Sequence, residues 1–149
     1  MNLSAVIPSS RIAVVANAQS KKTALETISK TLAEGDSKRQ DAIFDALLGR
    51  ERLGSTGLGD GVAIPHGRIN GISEPMGCLV KLDESVDFEA ADGKNVDLLA
   101  GLVVPADCTE EHLQVLANVA RLFSNSDFTT AARQTTDSAA LAELLAANS

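Results

Sequence analysis

Two apolar runs in the middle of the chain decide the fold class: MGCLVKL at residues 76–82 and VDLLAGLVV at residues 96–104. Both runs are short and rich in Leu and Val, which predicts two buried β-strands. Asp92-Gly93 lies between them and is a strong turn signal, and Pro105 ends the second run. The sequence therefore predicts a pair of core strands, around which the other elements are arranged.

On the N-terminal side of this pair, the pattern predicts a strand followed by two helices. The β-branched run Ile12–Ala16 is the predicted strand. Residues 20–33 carry apolar residues at helical spacing, with Ser20 as the expected N-cap. Gly35-Asp36-Ser37 then breaks the chain and caps a second helix, which is expected to end near Gly49-Arg50.

On the C-terminal side, the pattern is helical. A long helix is predicted from about Thr109 to Phe123, where Asp107 to Glu110 resembles a capping box and Thr109 is a rival cap. A short helix near residues 127–133 and another from Ser138 to Ala147 follow. Because helices and strands are intermixed, the predicted class is α/β (α+β), with a small sheet whose faces are covered by helices.

Composition limits the size of the protein and its partners. A chain of 149 residues suits one domain, so residues 1–149 are expected to form a single domain. The net charge of −7 argues against binding nucleic acid or an anionic membrane surface. The chain has no run of about 20 apolar residues, and its first residues lack the basic and apolar regions of a signal peptide, so neither a membrane span nor a signal peptide is expected. Cys78 and Cys108 fit no zinc or redox spacing, which predicts reduced thiols and a cytoplasmic protein.

A glycine-dense segment, GSTGLGDG at residues 54–61, precedes the short predicted strand Val62–Ile64. Two interpretations stay open from composition alone: a flexible surface loop, or a backbone that turns sharply or approaches a ligand closely. The segment lacks the GK[ST] ending of a nucleotide-binding loop. A strand pattern rather than a helix follows it, so it is not a dinucleotide fingerprint either.

The two histidines are the candidate reactive residues. His66 comes directly after a predicted strand, where α/β proteins often place reactive groups, although an ordinary loop histidine is the alternative. His112 lies in the first turn of the predicted helix that begins near Thr109, where it either is exposed or points to an anion site. A metal site is not expected, because no third histidine and no metal-binding spacing are present.

The segment GSTGLGDGVAIPHGR, at residues 54–68, strongly resembles the active-site signature of phosphotransferase system (PTS) IIA domains of the fructose–mannitol type. This group includes the stand-alone nitrogen-regulatory IIA proteins. The resemblance extends over essentially the whole chain and includes Arg50-Glu51 and Glu111-His112-Leu113. It implies a mixed, roughly five-stranded sheet flanked by helices.

The resemblance also implies the chemistry and the site residues. His66 matches the histidine that accepts a phosphoryl group from a phosphohistidine of an HPr-like carrier, and His112 and Arg50 match the other two site residues. Ser55, Thr56 and Gly57 match the part of the glycine loop that is expected to contact phosphate. Asp60 stands where relatives often have Asn, and its charge counts against an anion contact there. No metal, nucleotide or other cofactor is implied.

The physical properties of these side chains agree with that chemistry. An ordinary imidazole titrates near pH 6.5 and is therefore largely an uncharged nucleophile at neutral pH. Phosphoryl transfer is promoted mainly by positioning and by charge stabilisation on three oxygens, for which the planar guanidinium of Arg50 is suited.

Three functional hypotheses remain open at this level. The first is a phosphoryl carrier with a regulatory output, whose downstream partners are regulatory proteins. The second is a sugar-specific IIA subunit that passes phosphate to a IIB domain. The third is a non-catalytic binding module that retains the fold but not the transfer; a metal hydrolase is a more distant possibility.

Overall fold

The computed structural model describes residues 2–148, except for the side chain of Val15. The helices are α1 (Leu3–Val6), α2 (Lys21–Ala33), α3 (Ser37–Glu51), α4 (Glu110–Phe123), α5 (Ser126–Gln134) and α6 (Ser138–Asn148), with a short 3₁₀ turn at Ser9–Arg11. The strands are β1 (Ile12–Ala16), β2 (Gly57–Gly59), β3 (Val62–Ala63), β4 (His66–Ile69), β5 (Met76–Val86) and β6 (Val96–Pro105). None of the described helices is long and apolar enough to cross a bilayer.

The sheet is built around the antiparallel pair β5–β6, as predicted from their apolar runs. The strand order is β1-β5-β6-β3-β2, and β4 also pairs with β6. Strands β3 and β4 both run parallel to β6 along the same edge, with Val62 opposite Leu98 and His66 opposite Leu102. Because β3 and β4 follow one another along this edge, the start of β4 lies beside the C-terminal half of the central strand.

Both faces of β6 are buried, which explains its continuous apolar sequence. Leu98, Ala100 and Leu102 face the core under α4, α5 and α6. The alternate positions Leu99 and Val103 face the core under α2 and α3. The predicted arrangement, a sheet covered by helices on both faces, is confirmed.

Two details differ from the expectations. The sheet has six strands rather than the roughly five that the resemblance implied, and the sequence patterns had indicated only four, because the short strands β2 and β4 have no recognisable strand pattern. The capping box expected from Asp107 to Glu110 is wrong, because Thr109 has the extended backbone of the N-cap and α4 begins at Glu110. The rival prediction of Thr109 as the cap is confirmed, as are the caps Ser20 and Asp36 of α2 and α3.

Candidate active site around His66

His66 is the first residue of β4, and its ring is half-buried. Pro65 before it is buried, and the carbonyl of Pro65 accepts the N–H of Leu102 at 3.0 Å, which fixes the backbone against β6. The ring atom Nδ1 lies 2.8 Å from the carbonyl oxygen of Ile64. Because a carbonyl only accepts hydrogen bonds, Nδ1 carries the proton and donates it. In the neutral ring, Nε2 is therefore left with its lone pair, as a nucleophile requires.

Helix α3 brings Arg50 to this ring by packing closely on β4. A Cβ atom on Gly67 would lie 3.0 Å from Cβ of Ala46 and 3.1 Å from the Ala46 carbonyl, so the contact depends on glycine. Arg50 lies one turn beyond Ala46 on the same helix. Its guanidinium donates a hydrogen bond to the carbonyl of Gly54 at 2.8 Å, which ties the side chain to the glycine loop.

Two cavities are lined by both His66 and Arg50. The larger has a volume of about 380 Å³ and the smaller about 220 Å³, and both are lined by His66, Arg50 and Leu116. The larger one is mainly apolar and carries a second guanidinium, that of Arg68. The imidazole and a permanent cation therefore border the same open spaces, where an anion carried on a partner can reach both.

Three exposed leucines surround these cavities. They are Leu53, which is 85% exposed, Leu58, which is 49% exposed, and Leu113, which is 45% exposed. Leu53 and Leu113 line the larger cavity, and Leu58 lines the smaller one. Among the residues that the structure describes, these are the exposed large apolar side chains. Exposed apolar side chains are usually scattered, so their position beside the same two cavities is unusual.

The glycine loop contributes the wall of the smaller cavity, where Ser55, Thr56 and Gly57 lie as predicted near His66. Their polar groups already have partners within the protein, however. The hydroxyl of Ser55 donates to the carbonyl of Phe88 at 2.8 Å and accepts the N–H of Gly57 at 3.1 Å. The N–H of Thr56 donates to a carboxylate oxygen of Glu51 at 3.2 Å, and its hydroxyl bonds to the other oxygen. Contact of these residues with phosphate stays a prediction.

Comparison with known proteins identifies the family of the chain. The family described as "Phosphoenolpyruvate-dependent sugar phosphotransferase system, EIIA 2" matches residues 5–148. A nitrogen regulatory protein of Bradyrhizobium diazoefficiens is 39% identical over 127 residues, which cover 85% of this chain and 83% of the relative. The chain belongs to the PTS EIIA 2 family. The resemblance found in residues 54–68 is thus confirmed.

Two solved structures have the same fold as this EIIA protein. Nitrogen regulatory protein IIA-Ntr from Neisseria meningitidis is 37% identical and superposes with a TM-score of 0.87, covering 96% of this chain and 98% of that chain. The complex of mannitol enzyme IIA with phosphorylated enzyme IIB from Escherichia coli superposes with a TM-score of 0.76 at 22% identity, covering 95% and 97%. The second likeness concerns the fold alone. The expected fructose–mannitol-type fold is confirmed.

His112 of this EIIA protein lies near the site but faces another group. Its ring is 14% exposed, and Nδ1 accepts the backbone N–H of Thr109 at 3.3 Å. Nε2 lies 3.9 Å from a carboxylate oxygen of Glu74. The neighbouring residue Leu113 lines the larger cavity, whereas His112 does not line either of the two. A role for His112 in transfer therefore stays a prediction.

Asp60 also lies apart from His66. Its backbone is left-handed, with φ of 55°, and its side chain is 91% exposed. Its N–H donates to the carboxylate of Asp92 at 2.9 Å, so Asp60 belongs to the far end of the glycine loop. Neither cavity beside His66 is lined by Asp60. No group of three metal-ligating side chains occurs among residues 2–148.

Glu51 is the residue that sequence reasoning did not single out as part of the site. It is the last residue of α3 and is only 6% exposed. Its carboxylate forms an ion pair of 2.9 Å with the ammonium of Lys21. A sequence signal for it exists, because Ile43, Leu47 and Glu51 follow one another at spacings of four and therefore share the buried face of α3.

Proposed function

We propose that this EIIA protein is a phosphoryl carrier that accepts phosphate on Nε2 of His66 from a phosphohistidine of an HPr-like protein. The observation that supports this assignment is the 2.8 Å hydrogen bond from Nδ1 to Ile64, which leaves Nε2 unprotonated in the neutral ring. Membership of the PTS EIIA 2 family supports the reaction class.

In the proposed step, the P–N bond of the donor phosphoimidazole breaks while a bond forms between phosphorus and Nε2 of His66. The leaving ring nitrogen keeps the electron pair, and His66 keeps the proton on Nδ1. Neither water, metal nor nucleotide enters this balance. Because both ends of the transfer are imidazoles, the step is nearly thermoneutral and therefore reversible.

Arg50 supplies the stabilisation of charge in this proposal. A guanidinium has five N–H donors in a plane, and the bond to Gly54 uses one side of it. The remaining donors suit the three peripheral oxygens of a phosphoryl group in a loose transition state. Such preorganised donors near developing charge typically contribute about 10²–10³-fold in rate.

His112 is proposed as a second, weaker donor. Because Nδ1 accepts the Thr109 N–H, the neutral ring carries its proton on Nε2, as a hydrogen-bond donor does. It sits one residue before Leu113, at the rim of the larger cavity. We propose that His112 acts when the partner is bound, where its N–H is a hydrogen-bond donor in addition to those of Arg50.

We propose that the HPr-like donor docks on the surface formed by the three exposed leucines, Leu53, Leu58 and Leu113. Apolar side chains at the centre and charged groups at the rim are typical of transient protein interfaces. Arg68 in the larger cavity and Glu74 beside His112 are charged groups at this rim.

We propose a regulatory output, in which downstream proteins distinguish the phosphorylated from the free form. The names of the relatives in Bradyrhizobium and Neisseria support this choice over a sugar-specific role. We also propose that residues 1–149 form a single EIIA domain in the cytoplasm. The match over residues 5–148 and the two free thiols, Cys78 and Cys108, support that proposal.

Labelled phosphoenolpyruvate, Enzyme I and an HPr-like carrier test the assignment. We expect an acid-labile, alkali-stable label on His66 that is absent from His66→Ala. The matched variant His112→Ala is expected to keep the label on His66 and to acquire it more slowly. Label on a serine or on His112 would contradict the assignment, and unlabelled wild-type protein that still binds the carrier would indicate a binding module.

Two further arms separate the remaining alternatives. Arg50→Lys keeps the charge but loses the planar donors, and we expect it to slow transfer by about 10²-fold. The control Arg52→Lys changes an exposed neighbour that lines neither cavity, and we expect transfer at the wild-type rate. Rapid passage of the label to a fructose- or mannitol-type IIB domain would favour the sugar-specific role.

A further inference from the structure

Glu51 is a buried carboxylate next in sequence to the site arginine. Its side chain is 2% exposed and that of its partner Lys21 is 16% exposed, and the Lys21 ammonium lies 4.9 Å from the centre of the Phe88 ring. A buried charge is strongly unfavourable unless it is both paired and hydrogen-bonded. Here both oxygens have partners, because Lys21 and the N–H of Thr56 reach one and the hydroxyl of Thr56 reaches the other.

An unbroken series of hydrogen bonds leads from this carboxylate to the imidazole of His66. Glu51 binds the N–H and the hydroxyl of Thr56. The carbonyl of Thr56 accepts the N–H of Ile64 at 3.1 Å. The carbonyl of Ile64 then accepts Nδ1–H of His66 at 2.8 Å. Each bond restrains a residue that also forms the next bond, so the carboxylate of Glu51 and the ring of His66 are linked through Thr56 and Ile64.

The same carboxylate connects the two elements that carry the reactive groups. Glu51 ends α3, one residue after Arg50, whereas Thr56 precedes β2 and is bonded to Ile64 after β3. The bond between Glu51 and Thr56 therefore joins the helix end with the guanidinium to the strand segment that orients the imidazole. A displacement of this joint changes the position of both groups together.

We propose that Glu51 is a positioning residue. Through Thr56 and Ile64 it holds His66 in the tautomer with its proton on Nδ1, and through the end of α3 it fixes the position of Arg50 relative to that ring. The part of this inference that concerns transfer rates rests on the proposed function; the part that concerns the tautomer does not. A purely structural carboxylate would stabilise the fold without affecting the ring.

Two variants of graded severity test the proposal. Glu51→Gln keeps the size of the side chain but removes the charge that pairs with Lys21. Thr56→Val is nearly isosteric and keeps the N–H bond and the ion pair, so it provides a folded test if Glu51→Gln is too unstable. Thr56→Ser restores the hydroxyl. The control Thr129→Val removes another buried hydroxyl, which is on α5 and bonds to the carbonyl of Ser126 at 3.3 Å.

The main readout is the ¹⁵N NMR spectrum of the His66 ring, which distinguishes a protonated from an unprotonated Nδ1. We expect Nδ1–H to dominate in the wild type and a mixture of tautomers in Glu51→Gln and Thr56→Val. The spectra of Thr56→Ser and of the control Thr129→Val should both match that of the wild type. In single-turnover transfer we expect the rate constant to fall about tenfold in both variants. The carrier concentration that gives the half-maximal rate should stay unchanged, since small errors of position act mainly on the chemical step.

The outcomes separate the two proposals. If Thr56→Val and Glu51→Gln lower only the melting temperature, and leave both the tautomer and the transfer rate as in the wild type, Glu51 is a structural anchor and the inference is overturned. If the wild-type protein accepts no phosphate, the proposed function fails. The NMR comparison then still decides whether Glu51 controls the ring.

Discussion

Replacing Gly67 by alanine places a methyl group where α3 already touches β4. The new Cβ would lie 3.0 Å from Cβ of Ala46 and 3.1 Å from its carbonyl atoms. Carbon atoms in ordinary contact are about 3.5–4.0 Å apart, so α3 has to move outward by a few tenths of an ångström, about 0.5 Å at most. Overpacking of this kind destabilises a protein by about 1–3 kcal/mol.

The same displacement acts on the proposed transfer reaction. Arg50 lies one turn beyond Ala46, so a shift of α3 moves the guanidinium away from His66. A misplacement of about 1 Å in a reacting site can reduce the rate by about 10²-fold. A displacement of about half that distance is therefore expected to lower the rate of single-turnover transfer to Gly67→Ala roughly tenfold.

Gly49→Ala is the matched control for stability, because Gly49 belongs to the same helix and a methyl group added there would meet no atom within 4 Å. Alanine is preferred over glycine inside a helix by about 0.5–1 kcal/mol. Urea denaturation should therefore show opposite signs, with Gly67→Ala less stable and Gly49→Ala more stable than wild type. If Gly67→Ala matches the wild type in both stability and transfer, the close contact between Gly67 and Ala46 does not determine the position of α3.

Three further predictions concern other parts of the molecule. Burial raises the pKa of the Cys78 thiol to about 12, so an aromatic disulfide reagent at pH 8 should titrate one fast thiol per chain, and Cys108→Ser should remove that fast phase. Hydrogen bonds, first from the backbone N–H of Asp60 and then from that of Lys94, hold the pKa of Asp92 below its usual value. The stabilisation from Asp92 is therefore present above about pH 4 and is lost as the pH falls through the lowered pKa. The difference in unfolding free energy between wild type and Asp92→Ala should accordingly shrink between pH 7 and pH 3. Leu53→Asp should weaken binding of the HPr-like carrier by about tenfold or more in calorimetry while the melting temperature stays unchanged, because this side chain is 85% exposed.

The regular elements were predictable where their pattern is local. Strand β6 reads as one apolar run because both of its faces are buried, and α2 and α3 are preceded by caps in the sequence. Strand β4, with the sequence HGRI, has no such pattern. It becomes a strand because the edge of β6 is open beside it, which is a tertiary effect that no window of the sequence contains.

The site was predictable to the extent that it lies within one segment. Residues 54–68 contain His66 and the glycine loop, so the sequence alone indicates the candidate imidazole. The partners of these residues come from other elements: Arg50 and Glu51 from α3, and Leu113 from α4. The position of the guanidinium relative to the ring depends on helix packing at Gly67, which the sequence pattern does not specify.

The glycines near His66 have a structural role that the conformation of the loop itself explains. A Cβ on Gly57 would lie 2.8 Å from Cβ of Ala90, so this glycine lets the loop approach the segment after β5. Gly59 and Gly61 have positive φ values of 93° and 83°, which turn the chain between β2 and β3. Since the N–H of Gly57 is already bonded to Ser55, a phosphate on His66 gains little from these amides unless the loop rearranges. For the proposed transfer we therefore expect the contact between α3 and β4, which positions Arg50, to matter more than the amides of these glycines.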